Sequence, residues 1–171
     1  MSVHLHDAAA PTFLRVLAAM ESWLDKAASH AADKKFDPEI LLQARLAPDM
    51  LPLLGQYALA TAFAKNTMCR LAGQTPPDFP DAEKTIADVR ARIARARGIV
   101  ESITRDDFKD AATREITFQA GPDTKLTLSG SDYFFGFSLP NFYFHATTAY
   151  ALLRHNGLPL GKMDFMGAAP K

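Results

Sequence analysis

In the segment NFYFHATTAYALLRHNG, residues 141–157, Asn141 and His145 stand four positions apart among aromatic and aliphatic neighbours. Four positions make about one helical turn, so both side chains fall on one stripe, which Thr148 and Leu152 continue. An imidazole can serve as a general base, a metal ligand or a hydrogen-bond partner, whereas a carboxamide does only the last of these well. Gln56 lies midway along a second apolar stretch and is the residue expected to meet this stripe from another helix. The candidate pocket is therefore Gln56, Asn141, His145 and Thr148. Tyr57 adds a possible hydroxyl and Arg45 a possible anchor for an anionic group, while His145 alone is a candidate for catalysis.

Each of these residues also has a structural reading. His145 can be a core histidine whose ring nitrogens are satisfied by Gln56, Asn141 or a carbonyl. Asn141 follows Pro140 and can serve backbone that the proline leaves unpaired. Tyr57, Tyr143 and Tyr150 each lie within a helical pattern, where an aromatic usually belongs to the core rather than supplying a pocket hydroxyl, and Arg45 is placed to pair with Asp49 one turn on. His4 and His6, near the start, are expected to be frayed. Cys69 reads as a small buried hydrophobe.

Positioning such a pocket takes helices. Phe13, Leu17, Met20, Leu24, Ala27 and Ala31 recur by fours and threes, which predicts an amphipathic helix over residues 8–32. Asp37-Pro38-Glu39 opens a short helical piece, and Pro48 and Pro52 precede a second long helix that ends at Gly73. That helix is apolar on almost every side, so it must lie centrally or be covered by a second copy of the chain. Thr85 and Asp88 form a capping box for a third helix, with Ile86, Val89, Ile93, Ala96, Val100 and Ile103 inward and Arg90, Arg92, Arg95 and Arg97 on a solvated face. Residues 114–119 and 125–129 alternate around AGPDT and predict a β-hairpin, whose apolar face needs a surface to cover it. Ser131-Asp132 starts the last helix, which is kinked by Pro140 against Gly136 and stops at Gly157. The tail LPLGKMDFMGAAPK shows no helical period and is expected to be tethered by Leu160, Met163 and Phe165.

Composition narrows the partners. The chain has 171 residues, enough for one domain spanning 1–171, with 48% hydrophobic residues and nineteen basic residues balanced by nineteen acidic ones. No net field exists to hold a polyanion, so nucleic acid is not an expected partner. A single cysteine excludes an intramolecular disulfide and a thiolate zinc cluster, which favours a cytoplasmic protein. MSVHLHDAAAPTFLRVLAAMESW lacks the basic start of a signal peptide, and the longest nearly apolar run, residues 50–64, is too short for a membrane helix.

Together, LLQARLAPDMLPL, NFYFHATTAYALLRHNG and GKMDF resemble an uncharacterised bacterial domain-of-unknown-function family within the DinB/YfiT-like metalloenzyme superfamily. The resemblance implies an all-α fold, an up-down-down-up four-helix bundle, here with a short β-hairpin between helices three and four, and commonly a homodimer. It also implies relatives that bind a divalent metal through three histidines, some of them thiol-dependent transferases, isomerases or hydrolases. At the matching positions this chain carries Gln56, Asn141 and His145, so the family's three imidazoles become one imidazole and two amides. No cofactor is expected of that set, with zinc or nickel as the alternative, because amide oxygens are poor ligands for metals that imidazole selects. Three functions follow: a bundle that binds an unknown small molecule at a neutral polar cluster, a metal-dependent enzyme using His145, or a dimeric structural or interaction protein.

Overall fold

The computed structural model describes residues 4–167. Its first helix, α1 (Leu5–Lys34), extends past the expected span at both ends. The histidines expected to fray are fixed instead. His4 Nδ1 accepts the His6 amide, and His6 Nε2 lies 2.9 Å from the Ile103 carbonyl with its ring edge-on to Phe108. Contacts about a hundred residues away in sequence hold this end of the helix, and local spacing does not report them.

Asp37 accepts the Glu39 amide and opens a 3-10 turn, Pro38–Gln43. Helix α2 (Leu53–Leu71) begins after Pro52, and α3 (Ile86–Ser102) carries the expected capping box, with Thr85 Oγ1 accepting the Asp88 amide and Asp88 accepting the Thr85 amide. Strands β1 (Glu115–Gly121) and β2 (Thr124–Ser129) pair antiparallel, with Ile116 opposite Leu128 and Phe118 opposite Leu126. Phe118 and Ile116 are the buried members, and Phe118 lies 4.6 Å from Phe137 and 4.9 Å from Tyr133, ring centre to ring centre. The hairpin's inner face is thus covered within the chain.

Ser129 caps α4 (Gly130–Asp132), which passes into a π-helical segment, Tyr133–Ser138, and then α5 (Leu139–His155). The last helical run therefore begins one residue before the expected Ser131. Pro140 has no N–H to give, and the ladder just before it is widened: the Leu139 amide bonds the Phe134 carbonyl, five residues back. The distortion expected near Gly136 is this π segment. Beyond α5 the tail departs from expectation. Asp164 accepts the Gly161 amide and starts a one-turn helix, α6 (Lys162–Met166), too short to show a period. Leu160 is buried and Phe165 stacks on Trp23, but Met163 is 76% exposed and tethers nothing.

The four long helices pack in a ring in the order α1, α3, α2, α5, with α1 and α2 also touching across it. Phe13, Trp23, Tyr57, Tyr133, Phe134 and Phe142 fill the interior. Helix α2 packs chiefly on α3 and α5, which explains its apolar circumference and leaves Leu59, Ala62 and Phe63 half-buried along one side. None of the described helices is long and apolar enough to cross a membrane.

The arginine face of α3 needs correction. Arg90 and Arg97 reach Asp25 and Glu21 on α1, at 2.6 and 2.8 Å, and Arg95 lies over the Phe79 ring. Arg92 is not solvated at all, being 3% exposed. Its guanidinium donates to both Glu83 oxygens and to Thr61 Oγ1 on α2, with Asp81 3.1 Å away. The loop before α3 folds back over the helix face, and helical periodicity cannot see a loop.

Candidate functional site

Helices α2 and α5 are in broad contact, and this contact brings Gln56 to His145. The Gln56 side-chain nitrogen donates to the Leu51 carbonyl at 3.1 Å, which turns Oε1 toward the ring, and His145 Nδ1 lies 2.8 Å from that oxygen. An amide oxygen only accepts, so Nδ1 carries the proton and Nε2 carries the lone pair. Among the described residues Nε2 has no partner, and the sealed, unpartnered polar side-chain atoms there are Arg97 Nε and Arg114 Nε, so Nε2 is not sealed among them. The ring stacks on Phe63 at 5.7 Å with Phe144 edge-on, and both His145 and Gln56 are buried. Burial without a carboxylate partner pushes the imidazole below its ordinary pKa, which keeps it neutral at pH 7.

The other expected pocket residues separate from this pair. Asn141 Nδ2 donates to the Phe137 carbonyl at 2.7 Å, at the junction of the π segment and α5, so its amide serves backbone. Thr148 shares the stripe and is buried, but its hydroxyl bonds the Phe144 carbonyl within the helix. Tyr57 is wholly enclosed and donates to the Met20 carbonyl, which makes it a link between α2 and α1 rather than a pocket hydroxyl. Arg45 donates to the Met50 carbonyl and forms no ion pair with Asp49; its fork closes the turn before α2 instead. Cys69 is buried as expected, and burial raises its thiol pKa.

Between α2 and the hairpin lies a cleft of about 150 Å³, which neither His145 nor Gln56 lines but which shares Phe63 with the His145 ring. Leu59, Phe63, Asn66 and Arg70 line it from α2, Phe118 from β1 and Phe137 from the π segment. Phe63, Asn66 and Arg70 did not stand out as candidates in the sequence. A signal was present, since Gln56, Phe63 and Arg70 recur every seven residues and so share one side of α2. A larger hollow lies on the outer side of α1 against Gly167, remote from these groups.

The side chains here do not fit the three-imidazole metal site that the resemblance implies. His145 offers one free imidazole lone pair, at Nε2, while the Gln56 oxygen is taken by His145 and the Asn141 amide by Phe137, and amides are weak donors to zinc or nickel. Among the described residues no group of three or more His, Cys, Asp or Glu side chains is placed to hold a metal ion.

Residues 5–166 match the family described as Domain of unknown function (DUF1993). The chain is also similar to a DinB family member protein from Shewanella denitrificans known from a crystal structure, at 38% identity and a TM-score of 0.91, over 98% of this chain and 94% of that one. No curated protein matches it. With the long helices, the hairpin and the α2–α5 contact all in place, the match over nearly the whole length means that this chain belongs to the DUF1993 family of DinB-like proteins.

Proposed function

We propose that this protein binds a small molecule on a DinB-like four-helix-bundle scaffold, in the groove between α2, the hairpin and the π segment, with a neutral His145–Gln56 pair in place of a metal centre. The observation that carries the reading is the locked pair itself. Gln56 is held from both ends, by Leu51 and by His145, and Phe63, which stacks on His145, also forms a wall of a partly apolar cleft. Such pockets combine aromatic walls with a few fixed polar groups. The test has two parts. Protein purified without a histidine tag should carry little zinc, nickel or iron, and a chelator should leave its melting temperature unchanged. A panel of small organic probes should raise that temperature in the wild type, and should raise it less when Phe63→Ala opens the stacked wall. Near-stoichiometric metal that survives dialysis and is lost in His145→Ala would replace this reading.

One observation favours the enzyme alternative, namely that His145 Nε2 keeps a lone pair with no partner among the described residues, as a general base must. Turnover of a substrate that stops in His145→Gln with the fold intact would establish it. A homodimer in the cytoplasm belongs to the same proposal. The dimer now rests on exposed Phe135 and Phe144, at 56% and 58%, since α2 and the hairpin are covered within the chain.

A further inference from the structure

The geometry points to a small aromatic carboxylate as the ligand of the cleft between α2 and the hairpin, with its anionic end on Arg70 and its ring against Phe63, Phe118 and Phe137; this rests on the small-molecule reading above. Three observations converge. First, Arg70, like Arg15, Arg45, Arg95, Arg114 and Arg154, has no carboxylate within ion-pair distance among the described residues, and it is the one arginine that lines this cleft. Its Nη1 donates to the Tyr133 hydroxyl at 2.9 Å, and its guanidinium carbon sits 5.4 Å from the Phe118 ring centre and 5.7 Å from that of Tyr133. The fork is thus held in place by neutral groups, with Nε and Nη2 free to donate. A positioned, uncompensated guanidinium is the group that recognises a planar carboxylate through two parallel hydrogen bonds.

Second, Asn66 lies one turn before Arg70 on the same wall, and its side-chain amide has no partner among the described residues. It can donate to a second oxygen of the same anion. Third, the remaining walls are aromatic and mutually packed, with Phe63 6.0 Å and Phe118 4.6 Å from Phe137. A space of about 150 Å³ is the size that accepts a single benzene ring. Charge at one end and aromatic walls at the other exclude a phosphosugar, which would leave its hydroxyls unpaired against phenylalanine.

The experiment titrates benzoate and its neutral counterpart benzamide into the full chain, read by calorimetry and ligand-observed NMR. Benzoate should bind more tightly than benzamide, and Arg70→Gln should weaken benzoate about tenfold while leaving benzamide unchanged. Ala62→Trp, which fills the cleft from α2, should abolish both. Should Arg70→Gln prove unfolded by circular dichroism, Arg70→Lys provides the same reading, with the charge kept and the fork lost. Benzamide binding as well as benzoate, in a manner that Ala62→Trp blocks, would overturn the carboxylate and leave the small-molecule reading standing. Binding of neither probe, or binding that ignores Ala62→Trp, would overturn the cleft as the site and count against both.

Discussion

Replacing His145 with alanine removes a ring that is 8% exposed, stacked on Phe63 and bonded to Gln56, so urea melts should show a loss of about 2–4 kcal/mol. Gln56→Ala should be less costly in the His145→Ala background than alone, with a coupling of about 0.5–3 kcal/mol, because the two side chains are each other's partner. The same cycle run with Asn141→Ala should give the smaller coupling, since Asn141 is bonded to Phe137 instead. Equal couplings would mean that the three residues form one network after all. Acid provides a second readout on the same ring. Burial lowers the folded pKa of His145 from 6.5, so the unfolded chain takes up the proton first as pH falls. The contribution is fully present above the unfolded value and is lost as pH falls from there through the lower folded value. Between about pH 7 and 5 the wild type should therefore lose more stability than His145→Gln does, and a wild type that loses less would reverse the assignment.

Elements here are joined by groups that a single helix or strand does not reveal. Arg92 fastens the loop before α3 to α2, and its removal in Arg92→Met takes the ion-pair partner from the largely covered Glu83 carboxylate. A loss of about 3–5 kcal/mol is expected, with faster hydrogen exchange over residues 77–83. Arg92→Lys should recover only part of it, because a point charge cannot serve Thr61, Glu83 and Asp81 at once. The entry to α4 is equally constrained. A Cβ at Gly130 would lie 1.7 Å from the Ala111 carbonyl oxygen, so backbone must move, and Gly130→Ala should cost about 1–3 kcal/mol in the same melts.

The whole molecule closes through its tail. Trp23, the only tryptophan, is fully buried by Phe165, by Tyr150 and by a hydrogen bond from its ring nitrogen to the Asp164 carbonyl, and Lys26 pairs with the Asp164 carboxylate. Its emission therefore reports whether α6 is docked. Phe165→Ala should shift the emission to the red and cost about 1–2 kcal/mol, since Phe165 itself is only half-buried. An unshifted spectrum at full stability would mean that α6 is not what shields Trp23. Light scattering at micromolar concentration examines the proposed dimer, and a monomer independent of concentration would leave Phe135 and Phe144 as solitary surface aromatics.

Periodicity, capping and turn chemistry are local, and they marked the long helices, the Thr85–Asp88 box and the hairpin from residue order alone. The Gln56 and His145 stripes were legible for the same reason, because helical spacing places each on a definite face. Local order cannot say which backbone group a polar side chain will find. Asn141 turned to the Phe137 carbonyl beside a proline, Tyr57 to Met20, and Arg45 to Met50 rather than to Asp49. Arg92 read as solvated because its cover comes from a loop, and α6 was invisible because one turn has no period. Helix faces and their amphipathic content were thus fixed by the order of residues. The tautomer of His145, the burial of Arg92 and the setting of Arg70 were decided only when distant segments packed, since each depends on a partner far away in sequence.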